Sequence, residues 1–205
     1  MGEARVRLPE PTHRSGEPFE VILMRRRTTR EFSGVPLEPS IISQLMWAAQ
    51  GTLSDEARAS THRTCPSAGG TYPLVLYAIS KTGVDIYLST EHTMKKVIPD
   101  DIRVALSLAA VTDANRRAIV AAPLTVVMSV DNDKASSISP VWEDVLRYVY
   151  LETGHAAQNL ALQAGALGLA LCTITSYRTH TVHEALKMPL HHRPIYLIPV
   201  GYADG

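Results

Sequence analysis

Cysteine is scarce: Cys65 and Cys172 are the only two among 205 residues. They lack metal-ligand spacing, which removes a cysteine zinc site, and nothing around them points to an oxidising compartment. A disulfide between them stays open. Net charge is absent as well, with 20 Lys and Arg against 20 Asp and Glu. The whole-molecule field therefore argues against a nucleic-acid binder. Residues 156 to 177 carry no formal charge, and a membrane helix needs about 20 mostly apolar residues. Gln158, Asn159 and Gln163 interrupt this run, however, and Gly165 and Gly168 break it. It reads as a buried helix followed by a strand, with no membrane contact. No apolar stretch marks the N-terminus, so no signal peptide is expected and a cytoplasmic location is. No G-x-G-x-x-G follows a strand and no Walker pattern exists, so a Rossmann dinucleotide site and a P-loop have no support. Neither a Ser-His-Asp nor a Cys-His constellation stands out. His191 and His192 have no third ligand near them in sequence, so no metal is expected.

What is present suits one globular domain: 45% hydrophobic and 20% charged residues. Residues 1 to 17 are polar and proline-containing and read as an arm, leaving 18 to 205 as the domain. Phe19 to Met24 predicts a short helix. Ile41, Ile42, Leu45, Met46 and Ala49 keep helical spacing up to Gly51. A polar loop covers 52 to 63. Pro73 to Ser80 and Val84 to Ser89 predict a hairpin across Lys81-Thr82-Gly83. Helices are expected over Pro99 to Val111, with Pro99 in the first turn, and over Asp113 to Ala121. Leu124 to Val130 is a strong β run. Pro140 to Leu167 is the longest helical pattern, with Val145, Val149, Ala156, Leu160, Ala164 and Leu167 on one face. A strand over Ala170 to Thr175, a helix over His180 to Lys187 and a strand over Pro194 to Tyr202 complete the chain. Helices alternate with strands, yet one hairpin is present. That favours an α+β fold with a mixed sheet over a doubly wound one.

Three segments could carry chemistry. Arg25-Arg26-Arg27-Thr28-Thr29-Arg30-Glu31-Phe32 gathers four guanidinium groups and two hydroxyls, the donor set for a phosphate, ahead of an apolar anchor. A solvated basic run, with Arg30 paired to Glu31 or Asp55, is the plainer reading. Pro66-Ser67-Ala68-Gly69-Gly70-Thr71-Tyr72-Pro73 is rich in small residues that let backbone approach a flat ring; it also reads as a simple turn. Cys172-Thr173-Ile174-Thr175-Ser176-Tyr177 leaves the last stretch before a helix, or is merely a buried strand end.

In order and spacing these segments resemble the flavin-dependent nitroreductase superfamily, over about Arg25 to Gly201. The P-S-A-G-x-x-Y-P match at Pro66 to Pro73 and Gly154-His155-x-x-Gln158-Asn159 are similar to its SagB-type dehydrogenase branch. The resemblance implies a nitroreductase-like, mainly antiparallel sheet flanked by helices, with a long buried helix that forms a dimer. It implies FMN, its phosphate held by Arg26, Arg27, Thr28 and Arg30. Pro66, Ser67, Ala68, Gly69 and Gly70 would reach the flavin of the neighbouring subunit. Thr173, Ile174, Thr175 and Ser176 would cover one ring face. The flavin would carry the chemistry with no catalytic side chain, taking hydride from NAD(P)H for a nitroaromatic, quinone or related acceptor. An azoline-oxidising SagB-type dehydrogenase and a non-catalytic flavin-binding protein are the alternatives. Two departures matter. Relatives often close with Lys-x-Arg on the phosphate, whereas Gly201 stands four residues from Gly205, so that contact is expected to be missing. Azoline oxidases use a Lys-Tyr pair, for which the nearest candidate here is Arg147-Tyr148, and arginine is a poor base.

Overall fold

The computed structural model describes residues 5–14, 16–53 and 62–204. Its frame is a seven-stranded sheet in the order β1-β4-β3-β2-β5-β7-β6. The strands are β1 (Arg5–Arg7), β2 (Leu74–Ser80), β3 (Gly83–Leu88), β4 (Thr93–Ile98), β5 (Leu124–Asp131), β6 (Ala170–Leu171) and β7 (His192–Gly201). All six ladders are antiparallel. A parallel contribution comes from the isolated bridge between Thr28 and Leu171. The helices are α1 (Phe19–Arg25), α2 (Pro39–Gln50), α3 (Arg103–Ser107), α4 (Asp113–Ala121), α5 (Asn132–Ala135), α6 (Trp142–Ala166) and α7 (Thr179–Leu186). The α+β class with a largely antiparallel sheet is thus confirmed.

β5 is an interior strand of the sheet, between β2 and β7, and reads as a continuous apolar run because both of its faces are covered. On one face Val126, Met128 and Val130 join Leu76, Ile198 and the inward stripes of α2 and α6. On the other, Val127, Tyr77, Ile79 and Leu197 pack with Leu106, Ile119 and Val182 from α3, α4 and α7. Period-2 alternation in the strands and period-3.6 stripes in the helices build this three-layer arrangement directly. The stripe expected on α6 is buried at Val145, Val149, Ala156, Leu160 and Ala164.

Four elements differ from expectation. β4 went unrecognised because its alternation is broken by Lys95-Lys96 at a register shift between Val84 and Asp85, where Lys96 pairs with Asp85 at 2.7 Å. β1, within the polar arm, pairs with β4 as the edge strand. The helix expected over Pro99 to Val111 shrinks to α3. Asp101 accepts from the backbone N–H of Arg103 at its start, and Val111 N–H bonds to the Ser176 carbonyl instead of continuing a helix. The strand expected over Ala170 to Thr175 keeps its ladder only at Ala170 and Leu171. Cys172 N–H bonds to the Pro199 carbonyl, but Pro199 has no N–H to return, so regular pairing stops there.

Gly83 turns the β2–β3 hairpin with φ +113, and a Cβ there would sit 2.1 Å from the Ile98 carbonyl oxygen. Gly83→Ala should cost about 2 kcal/mol or more in urea unfolding. A loss below about 0.5 kcal/mol would show that this turn is not built as described.

Candidate functional site

α1 delivers the arginines. It ends at Arg25, Arg26 N–H closes its last turn on the Ile22 carbonyl, and the chain then runs beside β6. Thr29 N–H donates to the Leu171 carbonyl at 2.9 Å, and buried Phe32 bridges to Ala203. The anchor role read for Phe32 is therefore real. Arg25, Arg26, Arg27 and Thr29 line a cleft of about 480 Å³ with Gly165, Gly168 and Leu171. Arg25 reaches Glu17 at 3.5 Å. Among the described residues Arg26 and Arg27 make no ion pair, so two guanidinium groups stand uncompensated at one cleft. Arg30 turns aside: its Nε donates to Asn115 Oδ1 at 2.9 Å, in the first turn of α4. That partner is not Glu31, one of the two carboxylates suggested by the sequence; the other, Asp55, lies outside the described residues.

The 173–176 segment continues the same sheet edge. Ile174 is buried and exchanges hydrogen bonds with Leu197, while Thr173, Thr175 and Ser176 are exposed. Cys172 and Ile174 aim their N–H groups at β7, so alternation turns those of Thr173 and Thr175 off the open edge. A planar ligand laid along this edge meets arginines at one end and backbone donors at the other. Those are the donor types an FMN phosphate and ring require.

The Pro66 to Gly70 loop is tied down elsewhere. Ser67 Oγ donates to Glu152 Oε2 at 2.5 Å and accepts from Tyr72 N–H at 2.8 Å. Glu152 is only 2% exposed and also accepts from Gln50 Nε2. Gln50 in turn accepts from Arg63 at 2.7 Å, and the Arg63 guanidinium lies 4.6 Å over the Tyr72 ring. Lys134 Nζ donates to the Tyr72 carbonyl. The network holds three residues at positive φ, Gly69 at 59°, Gly70 at 65° and Tyr72 at 50°. The tyrosine costs about 1–2 kcal/mol in that conformation and persists because its neighbours over-determine it. Open space surrounds the Cβ position of Gly70, so the loop presents backbone outward. Glu152, Gln50 and Arg63 were not singled out from sequence, and Tyr72 only as a member of the Pro66 to Pro73 motif. The signal existed: Glu152 falls on the same helical stripe as Val145, Val149 and Ala156, where a carboxylate is out of place.

Among the other candidates, His155 is exposed on α6, and Asn159 donates to the Thr64 carbonyl at 3.0 Å, a structural role. Arg147 pairs with Asp144 on the outer face of α6. Both cysteines are free and buried. Burial pushes the Cys65 thiol up to about 12 and Cys172 to about 11, so neither is a nucleophile at neutral pH. The histidine pair does acquire a third neighbour in space: ligand atoms of Asp131, His191 and His192 lie within 4.8 Å of one another. Asp131 is already the cap of α5, and His192 Nδ1 bonds to the Tyr77 hydroxyl at 2.7 Å.

The sequence model of the nitroreductase family matches residues 23–202. A curated Methanocaldococcus jannaschii protein with a provisional nitroreductase name is 29% identical over 189 residues, 89% of this chain and 90% of that protein. A crystal structure from Ralstonia eutropha, likewise provisionally named a nitroreductase, superposes with TM-score 0.83 at 25% identity, covering 98% of this chain and 90% of that one. A chain of the Escherichia coli microcin synthetase McbBCD complex shares the fold, with TM-score 0.73 at 18% identity over 96% of this chain and 79% of its own.

Burial holds the Glu152 carboxyl above the ordinary glutamate range, against the pull of Ser67, Gln50, Arg63 and Lys134. The folded chain then keeps a proton that the unfolded chain releases near pH ~4.3. The resulting stability is complete below that pH and is lost as pH rises through the folded value. Glu152→Gln removes the ionisable group. Its melting temperature should gain on the wild type as pH is raised above about 4. A difference that stays constant with pH would refute the buried-acid description.

Proposed function

The chain belongs to the nitroreductase family, and from that premise we propose an FMN-dependent oxidoreductase working between NAD(P)H and a small electron acceptor such as a nitroaromatic or quinone. The observation that carries this reading is the alignment, along one open sheet edge, of uncompensated Arg26 and Arg27 with the outward donors of Thr173 and Thr175. FMN held there would supply the hydride chemistry, so no side-chain nucleophile is required. The protein's share is binding and orientation. Arg26 and Arg27 hold the phosphate end, Thr28 and Thr29 keep the segment against β6, and Thr173 to Ser176 support the ring. Arg30 acts from the side, braced by Asn115 and close enough for its charge to bear on Cys172. The azoline-oxidising alternative loses its base, because Arg147 is committed to Asp144 outside the cleft.

The site needs two copies of the chain. Ser67 is fastened to Glu152, whereas the arginine cleft is lined by Gly165. These helix positions are thirteen residues apart, about 20 Å along α6. A twofold axis crossing α6 near exposed Gln158 sets two copies antiparallel and brings the Ser67 loop of one to the Gly165 cleft of the other. Exposed Tyr148, Leu151 and His155 lie on α6 where such a seam would cover them, and Met24, 83% exposed, stands at the cleft itself.

The purified protein is expected to be yellow and to release FMN, identified by mass spectrometry. A colourless protein that also refuses added FMN would remove the reading. Arg27→Glu should weaken FMN retention by about tenfold or more, since a charged phosphate contact contributes about 1.5–3 kcal/mol.

Sharing of the site is tested separately. Arg27→Glu and Ala68→Trp homodimers should each be nearly flavin-free. Co-expressed at random, they form mixed dimers in which one site collects both lesions and the other none, restoring about a quarter of the flavin. No recovery in dimers confirmed as mixed would place both elements at one chain's flavin.

A further inference from the structure

Four residues beyond Leu171, Thr175 forms part of the wall of a second cavity of about 400 Å³. Tyr150 of α6, Tyr177, and Arg193 and Tyr196 of β7 line it with Thr175. Arg193 is the single charged residue of this lining, and among the described residues it has no carboxylate partner. Its Nη1 donates to the Tyr150 hydroxyl at 3.1 Å, and the guanidinium sits 5.4 Å from the centre of that ring. Its Nε is sealed from solvent with no hydrogen-bond partner. Within the chain the half-buried cation is thus oriented but not compensated, a state that an anion on its Nη edge would relieve. The Tyr177 hydroxyl is committed to the Pro194 carbonyl, which leaves its ring as an apolar wall. The volume suits a molecule of one or two rings and is too small for a dinucleotide.

From these features we infer that the pocket receives the electron acceptor and selects a flat aromatic ring bearing one carboxylate. Arg193 holds the carboxylate, the tyrosine rings flank the acceptor, and Thr175 links the pocket to the edge assigned to the flavin. The inference rests on the proposed flavin reading for the ligand's role, not for its binding. Guanidinium is the better choice here than ammonium, because its planar fork meets both carboxylate oxygens and can keep its hydrogen bond to the Tyr150 hydroxyl.

Calorimetric titration of the purified protein at about pH 7, where a benzoate is ionised, decides it. The probes are 4-nitrobenzoate and its neutral methyl ester, with flavin absorbance read on the same samples. The wild type should bind the acid about tenfold or more tighter than the ester, Arg193→Gln should abolish that preference, and Arg193→Lys should keep part of it. Equal affinity for acid and ester in the wild type overturns the inference while leaving a yellow protein's FMN reading untouched. A flavin-free protein that still prefers the acid keeps the pocket and removes the flavin instead. If Arg193→Gln weakens NADPH against NADH and leaves the acid-to-ester ratio unchanged, the arginine serves the dinucleotide and the assignment is wrong. If neither probe binds and Arg193→Gln lowers dimer stability, the second subunit fills the cavity and the assignment is equally wrong.

Discussion

The carboxylate of Glu152 imposes its needs on everything around it. It sits in the middle of a 25-residue helix, 2% exposed, on a face otherwise given to Val145, Val149 and Ala156. A buried carboxyl must be hydrogen-bonded wherever it lies. Ser67 and Gln50 supply the bonds, and Arg63 reaches Gln50 from the opposite side. Ser67 in turn holds Tyr72 N–H, and Tyr72 enters β2. One acid therefore connects α6, α2, the glycine loop and the start of the central hairpin. The strained backbone at Gly69, Gly70 and Tyr72 is the consequence: the loop is bent outward because its side chains are held inward.

A second constraint lies at the opposite end of α6. β7 carries Pro199, which cannot return a hydrogen bond toward Cys172, and β6 stops after two residues. The edge that is left is irregular, with Ile174 rejoining β7 between the outward-facing Thr173 and Thr175. Unpaired strand edges invite pairing with another chain. Here arginines run along one end of the edge and a tyrosine-walled cavity lies at the other. Broken pairing and ligand recognition are two aspects of one local arrangement.

Much of the fold was legible because it follows from periodicity. α2, α4 and α6, the β2–β3 hairpin, β5 and β7 all lie where their apolar spacing predicts. What escaped was set by partners distant in sequence. β4 is a strand because a bulge against β3 accommodates two adjacent lysines, and β1 is a strand because β4 offers it an edge. α3 is short because Val111 finds Ser176. At the site, the arginine run and the small-residue loop were readable as donors and as close-approach backbone. Glu152 carried a readable signal too, as a carboxylate on the apolar stripe of α6.

The sequence by itself determined the α+β class and the residue types able to hold a phosphate and a flat ring, since these depend on local periodicity and on side-chain chemistry. Only the tertiary structure decided which of those residues meet. Arg26 and Arg27 face the cleft while Arg30 is drawn aside to Asn115. Ser67 answers to a carboxylate 85 residues away, and Arg193 lies against the Tyr150 ring. The physical reason is that hydrogen bonds and burial act over a few ångströms in space. Separation along the chain says nothing about which groups come that close.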